Sequence, residues 1–211
     1  MPDAKSIISE KAINLILEFE VGGKASYEKN YKNPEWPKGE SGITIGIGYD
    51  LGYSIQPDFL QNWQRLDKAS LERLKVCCGL KGVKAKDILD SVKDIVIPWE
   101  IVWDVFQNVT VPKYYKTTRI AFPGLENLPA DAQGALVSLV YNRGGGMEDK
   151  PPGLSRLQMR NIRDLVPKKD LKGIAEQIRA MKDLWKGQEI EKGMARRREA
   201  EAALIEKAVK G

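Results

Sequence analysis

The chain has 211 residues, 42% of them hydrophobic and 30% charged, with a formal net charge of +5 and no histidine. That length and apolar content describe a folded chain of one domain, able to build a core without a metal or disulfide staple. The missing histidine excludes a Ser-His-Asp triad, a Cys-His dyad and every His-bearing metal site, so acid–base chemistry near neutral pH falls to carboxylates, Lys, Tyr or Cys.

The N-terminus, Met1-Pro2-Asp3-Ala4-Lys5, lacks the features of a secretory leader, and no run approaches 18 apolar residues, so neither a signal peptide nor a membrane-spanning helix is expected. Residues 6–19 read as a helix, with Ala12, Leu15, Ile16 and Phe19 on one face and Gly22-Gly23 as its stop. Residues 24–42 read as irregular, with Pro34, Pro37 and Gly39 as breakers. The period then changes to two. Ile43, Ile45 and Ile47 alternate with Thr44, Gly46 and Gly48, which predicts a short strand whose glycines mark a close approach of backbone or ligand. From Pro57 onward the pattern is helical, with helices expected near 58–66, 70–78, 84–92, from Pro98 toward Val109 or Tyr115, then 129–141, 170–185 and 190–208. Cys77 and Cys78 are adjacent and cannot readily bridge each other, so they read as two small buried residues. The fold expected is mainly α (α+β), a single domain over 1–211. Residues 1–56 would give the first helix and a small β lobe, residues 57–211 a helical lobe, with a cleft between them for an extended ligand.

The most informative residues are two carboxylates. Glu20 lies just before the glycine stop, four residues after Ile16 and seven after Ile13, and so extends the apolar stripe of the first helix. Partial desolvation and the negative end of the helix dipole both disfavour the charged form there, as a general acid requires. Asp50 follows thirty residues later, beyond the glycine-flanked strand, and is expected near solvent and ionised. Two carboxylates in contrasting surroundings are what glycoside hydrolysis needs: one protonates the leaving oxygen, the other activates water or stabilises positive charge at the sugar. Thr44 and Asp50 differ by an even number, so along an uninterrupted strand they point the same way, and the hydroxyl can hold the attacking water.

The order of Glu20, then Thr44-Ile45-Gly46-Ile47-Gly48, then a helical bundle ending in an Arg-rich helix resembles the phage-type lysozymes, and Tyr49-Asp50-Leu51-Gly52 is similar to their pesticin-like branch. The resemblance implies a lysozyme-like two-lobed fold, with Glu20 as the catalytic acid, Thr44 in the Thr-Ile-Gly strand and Asp50 as the second carboxylate. In the more familiar arrangement the second carboxylate lies a few residues before the threonine, where this sequence offers Glu40. Residues 135–144, ending Tyr141-Asn142-Arg143-Gly144, resemble the family's cleft-lining helix, whose end carries polar residues toward the sugar chain. Residues 193–201 resemble its C-terminal Gly-Leu-x-x-Arg-Arg-x-Ala-Glu helix, whose arginine approaches the catalytic glutamate, and Arg197 aligns with it. Such an arginine would favour the charged form of Glu20, against burial and dipole.

The expected activity is that of a muramidase, with inversion at the sugar and no metal or organic cofactor. Its partner is peptidoglycan, an anionic wall that suits the basic balance, with Tyr49, Tyr141 and Trp185 as faces for sugar stacking and core packing as the other role for Trp185. The chain is expected to be monomeric, made in the cytoplasm and active in the periplasm of a host or target cell. The same chemistry fits an antibacterial toxin delivered by a secretion machine, with an immunity protein over the cleft. The rival outside enzymology is a non-catalytic wall- or nucleic-acid-binding module. Lys150, Lys168-Lys169 and Arg196–Arg198 give scattered basic clusters without a groove-reading motif, so nucleic acid is not expected. A related glycosidase acting on chitin or chitosan is a further alternative.

Overall fold

A computed structural model describes residues 7–149 and 155–209; Ser6, the expected start of the first helix, and Lys150 of the basic clusters lie outside them. The described chain is mainly helical, with one small antiparallel sheet. It divides into two compact units, Leu17–Thr110 and Met1–Ile16 with Val111–Gly211, where the sequence reading drew its division at residue 56.

Helix α1 (Glu10–Val21) opens with the Ser9 hydroxyl accepting from the Ala12 N–H at 3.2 Å. It closes where Gly22, at φ 69°, donates its N–H to the carbonyls of Leu17 and Glu18. Its buried stripe is Ala12, Ile13, Ile16 and Leu17, turned by one residue from the expected face, so Leu15 and Phe19 are only half-buried.

In the unit from Leu17 to Thr110, the expected irregular stretch begins as a helix, α2 (Lys24–Asn30). The breakers read in that stretch all fall after it. Tyr27 anchors α2, fully buried, with its hydroxyl donating to the Ile97 carbonyl at 2.9 Å and its ring tilted against Trp99. Burial drives the phenol pKa well above its usual value, so it stays a neutral donor. The single strand expected over 43–48 is instead a hairpin. Strands β1 (Thr44–Ile45) and β2 (Tyr49–Asp50) pair antiparallel around Gly46-Ile47-Gly48. Gly46 and Gly48 take positive φ, and a Cβ on Gly46 would sit 2.9 Å from the Trp63 ring. The glycines that looked like part of a strand are therefore what turns it back. A 3₁₀ turn (Leu51–Tyr53) follows, then helices α3 (Gln56–Asn62), α4 (Lys68–Lys75), α5 (Val83–Ile88) and α6 (Trp99–Val105), each shorter than the pattern predicted. Cys77 and Cys78 are both free, just after α4, and burial pushes each thiol up to about 11. Residues Phe106–Thr110 form a π-helix ahead of Pro112, which has no N–H to donate within the helix.

In the other unit, α7 (Val111–Ala121) and α8 (Ala130–Arg143) pack against each other, and α8 is buried without a break from Gly134 to Tyr141. Helix α9 (Leu157–Leu165), which the sequence reading missed, packs on α10 (Leu171–Ala180). After a 3₁₀ turn (Met181–Trp185), the last helix, α11 (Glu191–Val209), packs on both α10 and α8.

The N-terminal half of α1 meets α8 at Gly134, where a Cβ would lie 2.1 Å from the Cβ of Ala12. Gly134→Ala sets a helix-propensity gain of about 1 kcal/mol against an overpacking cost of up to about 3 kcal/mol. The clash is against a rigid side chain with nowhere to swing, so the expected net loss is about 2 kcal/mol, or roughly 4–8 °C in Tm by calorimetry. Adding Ala12→Gly in the same chain recovers part of it; a Gly134→Ala protein melting at or above the wild-type temperature would contradict this packing.

Candidate active site

Glu20 occupies the last turn of α1 and is half-buried, as its place after Ile13 and Ile16 predicts. Both of those residues are buried in the stripe it extends.

Thr44 and Asp50 are register partners in the hairpin. Thr44 spends its own N–H and carbonyl on Glu35, at 2.8 and 3.0 Å, in an isolated antiparallel bridge, while the Leu51 N–H donates to the Ile43 carbonyl at 2.8 Å. Thr44 and Asp50 are therefore a non-hydrogen-bonded pair, the kind whose side chains approach most closely. Directly opposed residues in an antiparallel ladder also share a face. The expectation that Thr44 and Asp50 point the same way holds, but across two strands instead of along one.

Asp50 differs from the exposed carboxylate expected. It is half-buried, and its Oδ1 accepts from the Gly52 N–H at 2.8 Å and the Gly42 N–H at 3.1 Å, with Oδ2 also 3.2 Å from the Gly42 nitrogen. It caps the 3₁₀ turn and ties it to the chain entering β1. A Cβ on Gly42 would lie 2.3 Å from the Gly52 nitrogen, so the tie closes only over glycine. Tyr49 is half-buried, its hydroxyl accepting from Asn62 at 3.1 Å and its ring edge-on to Trp63. Glu40 is exposed, with its carboxylate over Gly82, and it has no place in the ladder.

The ladder adds a residue the sequence reading did not single out. Glu35 bridges Thr44, so Glu35, Thr44 and Asp50 stand in one row on one face. The opposite face carries Ile43, Ile45 and Leu51, all buried. Glu35 is exposed, yet the protein around it desolvates the carboxyl enough to raise its pKa above the usual glutamate value. No periodicity marks it, because Pro34 and Pro37 flank a bridge of a single residue.

Residues 16–122 match the family described as a domain of unknown function, DUF8812. The chain belongs to this family. No curated protein matches it. The DUF8812 segment contains Glu20, Glu35, Thr44, Tyr49 and Asp50 and stops short of α8.

The remaining expected residues stand together in the other unit. Arg197, buried, donates from Nε to Glu201 at 3.3 Å and from Nη2 to the Ser138 carbonyl at 3.1 Å, while the Ser138 hydroxyl donates to Glu201 at 2.7 Å. Arg198, fully buried, donates to Asn142 at 2.8 Å and pairs with Glu201 at 3.3 Å. Arg143 and Arg198 both lie over the Trp185 ring, at 5.2 and 5.8 Å. Burial, with Arg156 and Arg198 nearby, pulls the Arg143 pKa down to about 10. One expectation is corrected here. Tyr141 is buried and stacked on Tyr114 at 4.2 Å, so its ring serves packing and offers no open face to a sugar. Trp185 is buried as well, in keeping with the packing role expected for it. Among the described residues no cluster of His, Cys, Asp or Glu is suited to a metal, and no helix is long and apolar enough to cross a membrane.

Asp50→Ala removes the acceptor for two backbone N–H groups and is expected to cost about 1–3 kcal/mol in denaturant unfolding, whereas Glu40→Ala stays within about 0.5 kcal/mol. The sign for Glu35 follows from its raised pKa. The protonated form suits the fold, so its stabilisation is whole below the ordinary glutamate pKa and fades as pH rises through the raised value. The melting temperature of Glu35→Gln relative to wild type should therefore climb between about pH 3 and about pH 7; a flat difference would show that the carboxyl is not desolvated.

Proposed function

We propose that the unit from Leu17 to Thr110 carries the site of a muramidase, which hydrolyses the β-1,4 bond between N-acetylmuramic acid and N-acetylglucosamine in peptidoglycan. The observation that carries the reading is the register of the hairpin, which pairs Thr44 with Asp50 on one face. The half-buried Glu20 at the end of α1, in the same unit, supports it. The reading brings with it the lysozyme-like fold of the family the sequence resembles.

In this mechanism Glu20 gives its proton to the leaving oxygen as the glycosidic bond breaks. Thr44 holds a water on the opposite side of the sugar, and Asp50, fixed by two N–H groups, stabilises the positive charge that develops at the ring. The water becomes the new hydroxyl with inversion at the anomeric carbon. No step in this scheme calls for a redox or group-transfer cofactor.

The test is release of reducing ends from purified sacculi, with chitin and chitosan run alongside to separate a related glycosidase. Glu20→Gln keeps the side-chain volume and should retain the wild-type melting temperature while losing at least about 100-fold in rate. A Glu20→Gln protein with near-wild-type lysis would refute the assignment.

A further inference from the structure

We propose that Glu35 is the base that takes the proton from the attacking water, with the Thr44 hydroxyl guiding that water and Asp50 serving as a fixed charge. The inference rests on the muramidase reading and divides the labour of that site.

The geometry is the row across the ladder. Thr44 stands between Glu35 and Asp50, bonded through its backbone to one and register-paired with the other. Directly opposed partners sit about 5.5 Å apart in a hydrogen-bonded pair and about 4.5 Å in a non-hydrogen-bonded one, so a water at the Thr44 hydroxyl is within side-chain reach of both carboxylates.

The two carboxylates differ in what they have left to offer. Asp50 has both oxygens within reach of backbone N–H groups that fix it in place. Such a group serves well as a stationary charge and poorly as a proton acceptor that must reorient. Glu35 is exposed, and among the described residues no cation offsets the desolvation that acts on its carboxyl. Its hold on the ladder is through the backbone alone, which leaves the side chain free to turn toward a water. Desolvation raises the proton affinity of its carboxylate, and the titratable partner facing it along the row is Asp50. A base whose pKa moves toward the working pH is the better one.

The step balances as follows. The Glu20 carboxylic acid gives its proton to the glycosidic oxygen, which leaves with the pair of the C1–O bond. The water oxygen bonds to C1, and one water proton passes to the Glu35 carboxylate. The products are a hemiacetal and an alcohol, with Glu20 ionised and Glu35 protonated. Transfer of one proton through solvent restores both.

The experiment measures kcat and KM on purified sacculi from about pH 4 to about pH 9 for wild type, Glu35→Gln, Glu35→Asp and Glu20→Gln. Glu35→Gln is expected to lose about 100-fold in kcat with KM changed by less than about twofold, and to lose the acid limb of the wild-type profile. Glu35→Asp should recover part of kcat and restore the limb, which a merely structural role would not do. If Glu35→Gln keeps wild-type kcat and the acid limb while Glu20→Gln is inactive, Glu35 is not the base and the muramidase reading stands. If the wild-type protein releases no reducing ends, the reading and this assignment both fall.

Discussion

The carboxylate of Asp50 gathers the N–H groups of Gly42 and Gly52, and in doing so joins the segment that enters β1 to the turn that leaves β2. Without that carboxylate both N–H groups lose their acceptor, at a combined cost of about 1–3 kcal/mol. The contact is possible because both partners are glycine. A side chain on Gly42 would run into the Gly52 backbone, and one on Gly52 into the Leu80 carbonyl. With the hairpin closed in this way its register is fixed, and with the register the face on which Thr44 and Glu35 stand. A slip of one residue would send every polar member of that row into the apolar side.

The other unit is held by a different device. Glu201, fully buried, answers Ser138, Arg197 and Arg198 at once, and Arg156 donates to the carbonyls of Arg143 and Gly144 that end α8. Buried charge of this kind adds little net stability over an apolar core, but losing one member strands the rest at a cost of about 3–5 kcal/mol. The Arg-rich helix, legible in the sequence as a motif, is thus an internal brace: Arg197 and Arg198 face inward while Glu199 and Glu206 hold Arg179 of α10 at the surface.

What could be read in advance follows from periodicity. Helices with a clean apolar stripe, such as α1, α8 and α11, were placed to within a few residues, and the glycine stops after α1 and α8 were legible because positive φ has few alternatives. Helix α2 was missed because a single buried ring, Tyr27, holds it, and one residue has no period. The strand over 43–48 was read as continuous because alternation survives a tight turn: Ile43, Ile45 and Ile47 are all buried although the chain reverses between them. Among the candidate residues, the half-burial of Glu20 and the shared face of Thr44 and Asp50 were legible by spacing. Glu35 was not, because its place depends on a pairing nine residues away that no local pattern announces.

The two thiols after α4 have a bearing on handling. Burial holds both thiols in the protonated, weakly nucleophilic form at neutral pH. Neither mixed disulfides nor sulfenic acid form readily at such groups. With both cysteines free, the fold has no bridge to lose. A reducing surrounding therefore has no covalent cross-link to open in this fold.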